Sequence, residues 1–138
     1  MKTNLKKMLA LTALSMALLS TTVPTWAGSK KTREVFLHSN QTGWSASGSM
    51  VGARYSADNN QSIGCSTYFR PNSPYSLETW CQARNSAGAL YGCASADPRH
   101  LETVQGISDS SYLYFETQNT GPAGCSRIVI YNGSDQLK

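Results

Sequence analysis

A chain of 138 residues is long enough for one folded domain, since single domains typically contain roughly 100–150 residues. Twelve basic and eight acidic residues give a formal net charge of +4, and most of the basic residues are scattered singly. Proteins that bind nucleic acid usually cluster their basic residues, so this charge pattern disfavours nucleic acid as a partner.

The first 27 residues have the layout of a secretory signal peptide. A lysine-rich segment precedes an apolar run at residues 8–19, and the segment ends in Thr-Trp-Ala before Gly28. The apolar run is shorter than the roughly 18 residues that cross a bilayer. We therefore expect export to the periplasm or secretion, with no membrane span after cleavage. The mature chain keeps nine basic and eight acidic residues, a formal charge of +1.

Four cysteines lie in the exported part of the chain, and their spacing is too wide for a metal or redox motif. They are Cys65, Cys81, Cys93 and Cys125. Structural zinc sites usually bring ligands in as pairs about two to four residues apart, and thiol redox motifs use Cys-x-x-Cys. An even count in an exported chain favours two disulfide bonds. We expect no metal and no cofactor.

The pairing of these cysteines depends on hairpin register, and two registers are open. One register places Cys81 opposite Cys93, which leaves Cys65 to pair with Cys125. The other places Cys65 opposite Cys81, which leaves Cys93 to pair with Cys125. The sequence does not choose between them.

The mature chain is expected to form a flexible lead-in at residues 28–33 and one small β-rich domain at residues 34–138. Residues 40–49 are rich in Gly, Ser and Asn and predict a loop that carries Trp44. Strands are predicted over residues 34–39, 50–56, 63–69, 77–84, 89–95, 112–117 and 125–131.

One short helix is predicted at about residues 97–106. Asp97 suits the cap position, Pro98 suits the first helical position, and apolar residues recur on one face from Leu101 to Ile107. The order of elements predicts an α+β fold, which is mainly an antiparallel β-sheet with one helix covering a sheet face and disulfides as staples.

The stretches GSMVGARYSADNNQSIGC and SYLYFETQ, followed by Cys125, resemble a set of small exported bacterial proteins of unknown function. The shared pattern is G-A-R-x-S-A-D, then I-G-C, with four cysteines in total, and it extends over most of the mature chain. The resemblance implies export and a four-cysteine framework. It assigns no functional residue.

Two histidines, His38 and His100, are the candidates for acid–base catalysis. Such a pair can cleave phosphodiester bonds in small secreted ribonucleases. The sequence contains no Gly-x-Ser-x-Gly elbow, no Gly-x-x-x-x-Gly-Lys loop and no His-Glu-x-x-His motif. Because His38 falls on the exposed side of a weak strand and His100 in the first turn of a short helix, solvated surface positions are the simpler interpretation. The sequence therefore favours a protein that is not an enzyme.

Aromatic residues are the best candidates for binding. Trp44 falls in a predicted loop, and Tyr112 and Tyr114 share one side of a predicted strand. Exposed Trp and Tyr rings can stack on sugars or anchor a protein interface.

These features lead to three hypotheses. The first is an exported, non-enzymatic module that binds a protein or a glycan in the cell envelope or outside the cell. The second is a small secreted hydrolase of the ribonuclease type that uses His38 and His100. The third is an inhibitor or immunity-type protein that blocks another exported enzyme with a rigid loop at residues 71–76.

Overall fold

The computed structural model describes residues 33–71, 77–118 and 124–136. The predicted signal peptide, nearly all of the lead-in and residues 72–76 of the predicted inhibitory loop lie outside these ranges. Across the described ranges, no helix has both the length and the apolar character needed to cross a membrane.

The described residues form seven strands, two α-helices and one 3-10 turn. In chain order the elements are β1 (Phe36–Asn40), β2 (Gly43–Ser49), α1 (Met50–Arg54), β3 (Ser62–Phe69), β4 (Leu77–Arg84), β5 (Leu90–Ser95), α2 (Pro98–Gln105), β6 (Tyr112–Thr117), β7 (Cys125–Tyr131) and the 3-10 turn (Ser134–Gln136).

The strands form two antiparallel sheets. One sheet has the order β1-β2-β6-β7, and the other has the order β3-β4-β5. Buried residues from both sheets form one hydrophobic core, so each sheet has an inner face toward the other sheet and an outer face away from it. The predicted antiparallel, disulfide-stapled β-fold is confirmed.

Strand β6 shows how the sequence sets these two faces. Its side chains alternate between buried and half-buried along the strand. Leu113 and Phe115 are fully buried on the inner face, while Tyr112 and Tyr114 occupy the outer face. Burying each large apolar side chain stabilises the fold by roughly 1.5–3 kcal/mol, which fixes the register because a slip by one residue would reverse the faces.

Two predicted elements were wrong. The predicted loop at residues 40–49 is largely strand β2, and the predicted strand at residues 50–56 begins instead with helix α1. Strand β2 pairs with both β1 and β6, so tertiary pairing overrides a composition typical of loops. Helix α1 begins because the Ser49 hydroxyl accepts a hydrogen bond from the Gly52 amide at 3.1 Å and so caps the first turn.

Helix α2 confirms the predicted helix. The Asp97 carboxylate accepts a hydrogen bond from the Arg99 amide at 2.9 Å, and Pro98 occupies the first turn. The helix contacts β3, β4 and β7 and buries Val104 in the shared core. It therefore leaves the outer face of β6 uncovered, although the sequence had predicted a helix lying over one sheet face.

The two disulfides have different roles in the fold. Register places Cys81 directly opposite both Cys65 and Cys93, so both predicted hairpin registers occur. The bond forms between Cys65 and Cys81, within one sheet, and Cys93 bonds Cys125 in the other sheet. Cys125 follows Gly124, which bridges to Ala94 beside Cys93. Contact between the sheets thus settles the pairing.

Removing the inter-sheet disulfide is expected to destabilise the protein more than removing the intra-sheet one. The bonds join residues 32 and 16 positions apart, respectively. Loop-closure entropy then gives about 3.7 kcal/mol for Cys93–Cys125 and about 3.1 kcal/mol for Cys65–Cys81. Urea unfolding of the two paired Cys→Ala variants measures this order, and a larger loss for the intra-sheet pair would contradict it.

The capping carboxylate predicts a pH dependence of stability. Hydrogen bonds from the Arg99 side chain and amide lower the pKa of Asp97 from 3.8 to about 2. A lowered folded-state pKa means that the carboxylate stabilises the fold above pH 4 and loses this contribution as the pH falls from 4 to 2. NMR titration of the Asp97 carboxyl tests this. Arg99→Ala should raise that pKa toward 3.8, and an unchanged titration would exclude the guanidinium as its main cause.

Candidate functional site

An open cleft of about 620 Å³ lies at one end of the four-stranded sheet. Strands β1, β2 and β6 contribute its side walls with His38, Ser45, Tyr114 and Glu116. The β1–β2 turn and the end of β6 close it. Its volume is typical of a small-molecule or sugar site, which usually occupies roughly 300–1,000 Å³.

Strand pairing brings these side chains together. His38 lies opposite Ser45, Ser45 lies opposite Glu116, and Glu116 lies opposite Arg127, so the four form one row across the sheet. Directly opposed residues of antiparallel strands point to the same face, and neighbouring strands are about 4.8 Å apart. An imidazole, a hydroxyl, a carboxylate and a guanidinium therefore share one side of the sheet.

Tyr114 holds the Glu116 carboxylate in place. The Tyr114 hydroxyl donates a hydrogen bond to Oε2 of Glu116. This hydrogen bond, together with partial burial, raises the pKa of Tyr114 above its usual value of 10. Ser45 also hydrogen-bonds the Tyr114 hydroxyl, and the Arg127 guanidinium lies 5.9 Å from the centroid of the Tyr114 ring. The carboxylate is thus positioned by the sheet before any ligand arrives.

Further aromatic side chains extend from the cleft along the same outer face. Tyr112 lies two residues from Tyr114 on β6, and Tyr131 lies opposite Tyr112 on β7. Phe36 and Tyr131 are 61% and 50% exposed, respectively. The Arg33 guanidinium lies 5.1 Å from the centroid of the Tyr112 ring. We call the surface formed by Phe36, Tyr112, Tyr114 and Tyr131 the aromatic face.

The structure separates the three predicted binding residues. Tyr112 and Tyr114 both lie on the aromatic face. Trp44 lies at the rim of the cleft, but its indole belongs to the opposite side of the sheet and stacks on Tyr91 with ring centroids 5.8 Å apart. Tyr91 in turn stacks on the buried Phe115 at 5.9 Å. Trp44 therefore packs on the core through Tyr91, although the residue remains 47% exposed.

The two histidines lie in different surroundings. His38 lines the cleft. His100 lies on α2, where its Nδ1 is 2.8 Å from the Ser95 hydroxyl, and it does not line the cleft. The carboxylate that lines the cleft together with His38 is that of Glu116, which was not among the candidate residues predicted from the sequence. The alternation Tyr112, Tyr114, Glu116 was the available signal, because it placed Glu116 on the tyrosine side of β6.

The cleft offers hydrogen-bonding groups of several kinds on a rigid sheet. Its hydroxyl and imidazole groups can donate or accept, and its carboxylate accepts. Within ranges 33–71, 77–118 and 124–136, no three His, Cys, Asp or Glu residues cluster as a metal site. The described groups are suited to a polar ligand that carries several hydroxyl groups and an apolar surface.

No protein-family model, curated protein or solved structure matches this chain. Its function must therefore be inferred from the geometry of its own residues.

The β1–β2 turn is expected to be intolerant of a side chain at Gly43. Gly43 has a φ of +154°, and an added Cβ would lie 1.9 Å from the Thr117 carbonyl oxygen. Gly43→Ala should therefore displace the turn from the end of β6 and destabilise the protein by roughly 2 kcal/mol or more. Gly64→Ala is the matched control, since nothing lies within 4 Å of its Cβ. Equal urea midpoints for the two variants would contradict the close approach.

Proposed function

We propose that this protein is an exported, non-enzymatic module that binds a glycan through the cleft and the adjoining aromatic face. Two disulfide bonds and a small β-sheet domain are compatible with an oxidising compartment outside the cytoplasm. The signal-peptide pattern supports export. The single observation that carries the glycan assignment is the Tyr114–Glu116 pair, which sets a fixed carboxylate beside an aromatic ring in an open cleft.

Sugar chemistry matches this pair. A pyranose has an apolar face of C–H groups, which packs on aromatic rings, and a rim of hydroxyl groups, which needs hydrogen-bond partners. In the cleft, the Tyr114 ring supplies the first kind of contact. Glu116 accepts from hydroxyl groups, and His38 and Ser45 add further partners. A hydrogen bond to a charged group is worth more than a neutral one, so Glu116 should contribute most of the polar affinity.

A glycan suits this surface better than a protein partner does. The cleft is concave and presents an imidazole, hydroxyl groups and a carboxylate beside apolar surface, whereas the centre of a protein interface is usually flat, apolar and depleted of charge. The aromatic face carries Arg33 and Arg127 among its rings. Such interleaved polar groups favour a ligand that presents hydroxyl groups along its length.

A hydrolase is the second candidate, because His38 and Glu116 line the same cleft. An imidazole and a carboxylate can act as general acid and general base when a scissile bond lies between them. RNA and glycan hydrolysis should be assayed with the wild type and with His38→Ala and His100→Ala. Turnover that disappears with His38→Ala would replace the binding proposal with this one.

The inhibitor hypothesis rests on residues 71–76 and stays a prediction.

Glycan arrays with the folded, oxidised protein are expected to identify at least one ligand. Glu116→Gln should then weaken binding of that glycan at the cleft by about tenfold, because a charge-assisted hydrogen bond is lost. NMR titration that follows His38 resonances measures binding at this site alone.

The chain offers a matched control for this experiment. On the other sheet, Tyr68 of β3 donates a hydrogen bond at 2.7 Å to Glu78, its cross-strand partner on β4, so a second Tyr–Glu hydrogen bond lies away from the cleft. Glu78→Gln should leave the affinity at the cleft unchanged. A blank array, together with a blank pull-down from envelope extract, would refute the proposal.

A further inference from the structure

The outer face of the three-stranded sheet carries an exposed indole at its centre. Trp80 directly precedes Cys81, a position that predicts packing on a disulfide or the core. The structure corrects this, since Cys81 is fully buried on the inner face and Trp80 is 39% exposed on the outer face. Its ring therefore contributes little to the core that the disulfides enclose.

The Trp80 indole lies against the sheet over a glycine. Gly92 of β5 lies opposite Gln82 of β4, so it is diagonally across the strand pair from Trp80 on the same face of the sheet. A Cβ added to Gly92 would lie 2.7 Å from Cζ2 and 3.3 Å from Cε2 of Trp80. Any other residue at this position would lift the ring away from the strand. The indole Nε1 also donates a long, exposed hydrogen bond of 3.4 Å to Oε1 of Gln82.

Small residues of β3 continue this surface on the other side of β4. Ser62, Gly64 and Ser66 occupy successive outer positions of β3 and face Arg84, Gln82 and Trp80 across the strand pair. An added Cβ at Gly64 would have nothing within 4 Å. Along a strand that rises about 3.3 Å per residue, these positions span roughly 13 Å.

We call this surface the Trp80 shelf, and it consists of Ser62, Gly64, Ser66, Trp80, Gln82 and Gly92.

The shelf itself carries no formal charge. Its polar groups are hydroxyls, one amide and the indole N–H. Arg84 lies opposite Ser62 at one end of the shelf, and the Arg70–Glu78 ion pair lies beyond the other end. A ring seated on Trp80 and Gln82 meets indole, amide and hydroxyl groups rather than an opposite charge, so the electrostatics there favour an uncharged sugar.

We propose that the Trp80 shelf is a second carbohydrate site, which binds a neutral oligosaccharide. One pyranose ring stacks its C–H face on the exposed side of Trp80, and Gln82 and Ser66 hydrogen-bond its hydroxyl groups. The next rings lie along Gly64 and Ser62, where no side chain obstructs them. The proposal rests on the geometry of the shelf and holds whether or not the cleft binds a glycan.

The position of the shelf has a consequence for long ligands. The shelf and the cleft lie on the outer faces of different sheets, on opposite sides of the shared core. Where the cleft also binds a glycan, as we propose above, one molecule can hold two polysaccharide chains.

Titration with neutral hexasaccharides tests the shelf. Cellohexaose, xylohexaose, mannohexaose and chitohexaose are the probes, and a galacturonic acid hexamer is the charged comparator. NMR follows the indole N–H of Trp80 for the shelf and His38 resonances for the cleft. We expect at least one neutral probe to shift the Trp80 indole signal, and the charged hexamer to leave it in place.

Variants then separate ring stacking from folding. Trp80→Ala should weaken binding at the shelf by about tenfold, which is read from shifts of the Gln82 side-chain amide, and Trp80→Phe should restore part of it. Gly92→Val keeps the indole but lifts it from the sheet, so it should weaken binding about as much. Leu90→Ala, an exposed neighbour on β5, is the control and should bind like the wild type.

The outcomes distinguish the two sites. The proposal of a binding site at the shelf would be overturned if both Trp80→Ala and Gly92→Val bound with wild-type affinity. It would also be overturned if the Trp80 indole responded to no neutral probe. In that event, shifts of His38 would leave the cleft proposal intact. A response of Trp80 with none at His38 would support the shelf and count against the cleft.

Discussion

The bond between Cys93 and Cys125 is the constraint on which the arrangement of the two sheets depends. Each sheet buries only a thin layer of side chains between itself and the other, and several of these are small, such as Ala46 and Ala83. A small domain buries a limited fraction of its surface, so its apolar contacts alone stabilise the fold only weakly. A covalent link across the core adds to that stability. With the inner faces joined in this way, both outer faces remain available to solvent.

Elements with strong local signals were predictable from the sequence. The alternation in β6 and the cap of α2 at Asp97 each gave the observed element, because the local pattern and the tertiary structure agree. Strand β2 was not predictable, since its glycines and serines are typical of a loop and only its pairing with β1 and β6 makes it a strand. The sequence left two disulfide pairings open, and the observed pairing is one of them; both hairpin registers exist, so contact between the sheets decides.

The candidate site was predictable only in part. Tyr112 and Tyr114 could be placed on one side of β6 from its period, and they lie there as half-buried residues. His38 lies on β1 and Glu116 lies on β6, with β2 between them. Because they belong to different strands that are far apart in the sequence, no local pattern links them. Trp44 was assigned to a loop, and its inward stacking on Tyr91 follows from the strand that the sequence did not indicate.

Glycines on the two sheets shape the surfaces for which ligands are proposed above. Glycine within a strand loses packing and conformational entropy, so it weakens a sheet unless close approach requires it. Gly92 lies directly beneath the Trp80 ring, and Gly43 allows the turn beside the cleft to approach β6. Gly64 has no such neighbour, and its only structural effect is to leave the shelf open. A sheet selected for stability alone would fill that position with a β-branched residue, as strand propensities favour. The open position leaves the outer surface of β3 accessible, as the ligand proposed to lie along this strand requires.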